Sequence, residues 1–75
     1  MDSTTIEQMI LAGLPGAKVV VSGEDGVHFE ARVSCASFRG KTTLQRHRMV
    51  YATLGETMGR EIHALALHTD TGEED

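Results

Sequence analysis

HFEARVSC, residues 28–35, alternates without a break: Phe29, Ala31, Val33 and Cys35 fall on one side of an extended chain, His28, Glu30, Arg32 and Ser34 on the other. Successive side chains of a strand point to opposite faces, so the pattern predicts a half-buried β-strand with its apolar side against a core. Upstream, residues 17–22 (AKVVVS) are short and β-branched, which reads as another strand. Gly23-Glu24-Asp25-Gly26 between them is turn chemistry, so the two runs form a hairpin.

Helical spacing brackets the hairpin. Thr4 and Glu7 have the capping-box separation, and Ile6, Met9, Ile10 and Gly13 recur at helical intervals with Leu14 one position on. They predict a short amphipathic helix over residues 5–13, ended by Pro15-Gly16. Beyond a loop at residues 38–41, Thr42 or Thr43 can cap a second helix, in which Leu44, His47, Tyr51, Leu54 and Met58 recur at spacings of three and four. Arg46 and Arg48 flank that stripe toward solvent, and Gly55 and Gly59 weaken or end the helix. Residues 62–69 (IHALALHT) are apolar on both parities, as in a strand covered on its two faces. From Thr69 on there is no packing signal, so a frayed tail over residues 71–75 is expected. The sum is one α+β domain over residues 1–75: helix, hairpin, helix, strand, with a three-stranded sheet packed on helices lying on one face.

A chain of 75 residues buries a small core, with a margin on the order of 3–5 kcal/mol, so functional groups belong on strand ends, helix ends and loops. Its one cysteine, Cys35, forms no internal disulfide, which suits a reducing compartment. There is neither a secretory signal nor an apolar run near the ~20 residues that a membrane span needs, so the expected address is the cytoplasm. The net charge of −4 hides a segregation: Arg32, Arg39, Lys41, Arg46 and Arg48 are five of the seven basic residues, and no acid falls between Ala31 and Gly55. Such a patch suits phosphate, an acidic partner surface, or water alone.

Three segments together resemble a known family. Phe38-Arg39-Gly40-Lys41, then Leu44-Gln45-Arg46-His47-Arg48-Met49-Val50-Tyr51, then Ile62-His63-Ala64-Leu65-Ala66-Leu67-His68-Thr69 closely resemble BolA proteins, and Val21-Ser22-Gly23 with His28-Phe29 fits too. The likeness covers roughly residues 4–71. It implies a fold similar to a class II KH domain. It also implies partnership with a monothiol (CGFS-type) glutaredoxin, the pair sharing a [2Fe-2S] cluster with glutathione, and a regulatory role on DNA through a helix-turn-helix-like surface around the basic segment. Two features depart from the family pattern. The usual ending, Thr-x-x-Pro followed by an acid and Trp, is here Thr69-Asp70-Thr71-Gly72-Glu73-Glu74-Asp75. The turn at residues 23–26 is shorter than the loop that carries an iron-ligating Cys or His in longer members, and His28 just after it is the nearest substitute.

The resemblance makes His63 the cluster ligand, a role that imidazole fills beside thiolates. Spacing alone favours a histidine satisfied inside the sheet. His28, on the polar parity of its strand, is the candidate second ligand, against the plainer reading of a surface residue at a hairpin end. Cys35 is the tempting third, but its parity groups it with the core, where a free cysteine acts as a small hydrophobe. His47 sits on the apolar stripe and reads as a packing or network residue, and His68 has only exposure to recommend it. Arg39, Lys41, Arg46 and Arg48 are candidates for nucleic acid or the partner, in a field reinforced by the amides of a helix start. Gly40-Lys41-Thr42-Thr43 supplies only the first glycine of a KH Gly-x-x-Gly clamp, and the chain has just three aromatics, so base reading looks weak. The Gly40-Lys41-Thr42 step lacks the earlier glycine of a phosphate loop, since position 35 is Cys35. No nucleophile–base spacing is present, so the expectation is a non-enzymatic adaptor, with a small DNA-binding regulator as the alternative and a weakly homodimerising module with neither activity as the third.

Overall fold

The computed structural model describes residues 1–23 and 25–73. In chain order these form helix α1 (Ser3–Gly13), strands β1 (Lys18–Ser22) and β2 (His28–Ser34), helix α2 (Thr43–Leu54) and strand β3 (Ala64–Asp70), with short 3-10 turns at Ala36–Phe38 and Gly55–Thr57. The sheet order is β1-β2-β3. β1 runs antiparallel to β2 with Lys18 opposite Ser34 and Ser22 opposite Glu30, the predicted hairpin. β3 is parallel to β2, with His28 opposite Ala64 and Ser34 opposite Asp70. A parallel neighbour needs a crossover, which α2 supplies.

Both helices cover one face of the sheet. The core joins Ile6, Ile10 and Leu14 of the α1 region, Val21, Phe29, Ala31 and Val33 of the hairpin, Phe38, Val50, Leu54, Ile62 and Leu65. The apolar parity of β2 faces this layer, and Cys35 is buried with it. β3 corrects an expectation. Leu65 is buried and Leu67 partly so, but Ala64, Ala66 and His68 are exposed, because no helix covers the second face. Alanine leaves little apolar area bare there, so the run resembles a doubly buried strand in composition alone. Val20 stands on the same open face, 66% exposed.

Three other expectations shift. The cap of α1 is Asp2, whose carboxylate accepts from the Thr5 N–H at 2.8 Å, so the helix starts two residues before the Thr4–Glu7 box would place it. In α2 the buried positions are Val50 and Leu54, whereas Leu44 is 59% exposed. Arg46, one turn before Val50, is partly buried and its Nε donates to the Phe38 carbonyl at 3.1 Å, so it lies along the packed side of the helix. The frayed tail begins later than expected: β3 runs to Asp70, Thr71 is buried, and the Gly72 N–H donates to the Asp70 carboxylate at 2.8 Å. Residues 74 and 75, also assigned to that tail, lie outside the described residues.

The entry to α2 holds as read, with Thr42 accepting from the Gln45 N–H at 3.1 Å and Gln45 accepting from the Thr42 N–H at 2.9 Å. Gly40 precedes this box at φ 77°, a left-handed turn that L side chains resist. At its other end α2 approaches α1 through Gly13: a Cβ there would lie 2.5 Å from Thr53 Cγ2. Thr53 cannot swing aside cheaply, because its hydroxyl donates to the Val50 carbonyl at 2.6 Å.

Gly13→Ala therefore sets a helix-propensity gain of up to ~1 kcal/mol against an overpacking cost of ~1–3 kcal/mol. Denaturant titration should show a net loss of about 1 kcal/mol, recovered only in part when Thr53→Ser removes the opposing methyl, because Thr53 Cβ would still lie 2.9 Å from the new Cβ. The Asp2 cap adds an acid limb. Bonds from the Thr5 hydroxyl and then the Thr5 N–H, helped by the terminal amine, hold its carboxyl below the usual range. A lowered folded value means that the stabilisation is whole above about pH 4 and fades as pH falls through the folded value. Melting temperatures of wild type and Asp2→Ala should differ at pH 7 and converge on acidification.

Candidate functional site

The β2–β3 pairing brings His63 and His28 to one end of the sheet. His63 occupies the bend just before β3, and its backbone N–H donates to the Val27 carbonyl at 3.0 Å; Ala64 N–H reaches the same oxygen at 3.4 Å. Ile62, buried and bridged to Met58, anchors the residue before it. His63 is thus held opposite Val27, next to His28, with its side chain exposed. Its imidazole makes no hydrogen bond to a described residue, which leaves the ring nitrogens open to a ligand.

His28 is exposed and oriented. Asp25 accepts from the backbone N–H groups of Val27 at 3.0 Å and His28 at 2.8 Å through one oxygen, while its other oxygen meets His28 Nδ1 at 2.6 Å. The His28 imidazole first, then the His28 and Val27 amides, keep the Asp25 carboxyl well below its ordinary range. An ionised carboxylate only accepts, so Nδ1 carries the proton and Nε2 of the neutral ring presents its lone pair outward. Sequence reasoning treated residues 23–26 simply as turn chemistry; the three-residue step from Asp25 to His28 was the available signal of an Asx-type contact.

The remaining candidates lie elsewhere. Cys35 is 5% exposed and lines a cleft with Lys18, Ser34 and Asp70 at the opposite ends of β2 and β3. His68 pairs with Glu30 at 3.0 Å on the open sheet face. His47 is half-buried without a hydrogen bond to a described residue, and the tie from α2 to the sheet is made by Tyr51, whose hydroxyl donates to the Leu65 carbonyl at 3.1 Å. Within the basic segment Arg39, Lys41 and Arg48 are exposed, Arg39 in a surface ion pair with Glu73, whereas Arg46 is half-buried and binds the Phe38 carbonyl; Arg39 and Arg46 line one cleft with Gly40, Thr71 and Glu73. Among the described residues no group of three or more His, Cys, Asp or Glu side chains converges in a metal-binding arrangement, and no helix is long and apolar enough to cross a membrane.

Known proteins share this fold and much of this sequence. A family model described as BolA-like protein matches residues 14–74. The solved structure of a BolA homologue from Coxiella burnetii superposes with a TM-score of 0.85 at 46% identity, covering 95% of this chain and 91% of that one. A protein from the rpoN-murA intergenic region of Acinetobacter guillouiae is 35% identical over 75 residues, 99% of this chain and 89% of its own length. The DNA-binding transcriptional regulator BolA of Escherichia coli is 48% identical over 44 residues, 59% of this chain, of which the match spans 42% of the longer protein. The match to human BolA-like protein 1 likewise spans 47% of that protein. On the family match and the shared fold, this chain belongs to the BolA-like family.

Proposed function

We propose that this protein is a non-enzymatic adaptor that joins a monothiol glutaredoxin around a shared [2Fe-2S] cluster. The observation that supports the reading is that the β2–β3 pairing brings two exposed histidines, His63 and His28, to the same end of the sheet. The donor set fits the group: a histidine pair on one iron with thiolates on the other is an established ligand set, and two histidines raise the potential over four thiolates. His63 and His28 would hold the cluster from this side, and the glutaredoxin thiolate and glutathione would complete it. Bound there, the cluster supplies an exchangeable, redox-active centre. The chain's own residues place His63 at this end of the sheet: the Val27 carbonyl fixes its backbone, and buried Ile62 anchors it. The basic segment, through exposed Lys41 and Arg48, would dock the partner.

A second reading, a small DNA-binding regulator, draws support from the function named for the Escherichia coli relative and from two exposed cations, Lys41 just before α2 and Arg48 midway along it. Its footprint is small: Arg46 is held by the Phe38 carbonyl, and exposed Arg39 would have to exchange its surface ion pair with Glu73 for phosphate. Phosphate binding with so few open cations would be weak at physiological salt.

Anaerobic titration into a [2Fe-2S]-loaded monothiol glutaredoxin, followed by visible circular dichroism, tests the first reading. The wild type should remodel the cluster spectrum at equimolar ratio, and His63→Ala should leave it unchanged while losing no more than about 0.5 kcal/mol of stability, as for an exposed side chain. A wild type that leaves the spectrum unchanged overturns the adaptor reading, and salt-dependent phosphate binding then becomes the leading account.

A further inference from the structure

We infer that Asp25 is a positioning residue for the cluster: it fixes the tautomer and orientation of His28 so that Nε2 is the ligating nitrogen. The inference rests on the adaptor reading and adds to it the atom through which His28 acts and the residue that controls it.

The geometry is specific. One Asp25 oxygen closes the turn by accepting from the Val27 and His28 amides, and the other is 2.6 Å from His28 Nδ1. The carboxylate has no proton to give, so this contact requires Nδ1–H. The His28 ring is thereby held with Nε2 unprotonated in its neutral form, facing solvent from an exposed side chain. A carboxylate on the far nitrogen is the recurrent support of metal-bound histidine, because it sets the tautomer, fixes the ring plane and raises the basicity of the ligating nitrogen. The turn at residues 23–26 carries neither Cys nor His, and Asp25 instead aims the first side chain of the following strand. His68 provides an internal contrast. Its contact with Glu30 uses Nε2, the outer nitrogen, so the same pairing there occupies the atom that a metal would otherwise reach first.

Asp25→Asn separates this role from turn formation. The Asn carbonyl keeps the acceptor for the two backbone amides, but its NH2 faces His28 Nδ1 as a donor and favours the opposite tautomer, Nδ1 bare and Nε2–H. Nitrogen-15 NMR of the free protein, at a pH where the ring is neutral, should show Nδ1–H in the wild type and Nε2–H in Asp25→Asn. In the circular dichroism titration Asp25→Asn should bind the loaded glutaredoxin about 10–100-fold more weakly, and Asp25→Glu should recover part of the loss. If wild type remodels the cluster and Asp25→Asn matches it, this inference fails while the adaptor reading stands. If wild type forms no mixed cluster, both fail. An Asp25→Asn protein that keeps Nδ1–H also overturns the inference.

Discussion

The parallel pairing of β3 with β2 is the constraint on which the rest of the molecule depends. It requires a crossover, which is α2, and so delivers the second helix onto the same face as α1. It makes β2 the central strand, whose Phe29, Ala31 and Val33 carry the middle of the core. Its first bonds, from His63 and Ala64 to the Val27 carbonyl, decide which residues meet at the end of the sheet. A one-residue slip would turn Leu65 outward and move His63 off its place beside His28. Fold and site are fixed by the same register.

That economy suits a domain with little stability to spare. The core is shallow, and the open face of the sheet carries Val20, Ala64 and Ala66 beside the Glu30–His68 pair. Nothing polar that the site needs is buried. Both histidines stand exposed at strand ends; a backbone carbonyl holds the main chain of His63, and a turn carboxylate orients the His28 ring. A metal centre assembled between two proteins calls for this kind of placement: each chain presents its ligands at the surface, and desolvation comes with the partner.

Much of this was legible in the residues. Strict alternation over residues 28–35 gave the central strand and its inward face, and the β-branched run before it gave the hairpin. The doubly apolar composition of residues 62–69 misled about the far face, because alanine is cheap to expose. Leu44 misled about α2 in the same way: His47, Tyr51, Leu54 and Met58 of the expected stripe are buried or half-buried, but Leu44 is exposed, and Val50 and the half-buried Arg46, bonded to the Phe38 carbonyl, join the packed side. Thr4 and Glu7 had the right spacing for a cap, yet an aspartate two positions earlier is the better acceptor at a helix start. At the candidate site the resemblance, rather than spacing, singled out His63. The contacts of Asp25 and Glu73 depend on side-chain directions at a turn and a chain end, where periodicity carries no information.

The central claim is that nitrogen from this chain ligates the shared cluster. Pulsed electron paramagnetic resonance on the reduced mixed complex tests it most directly, with only this chain labelled in its histidines with nitrogen-15. The account predicts strong couplings from two labelled nitrogens, one of which disappears with His63→Ala and the other with His28→Ala. A reduced cluster in a formed complex without any coupling to labelled histidine would contradict it.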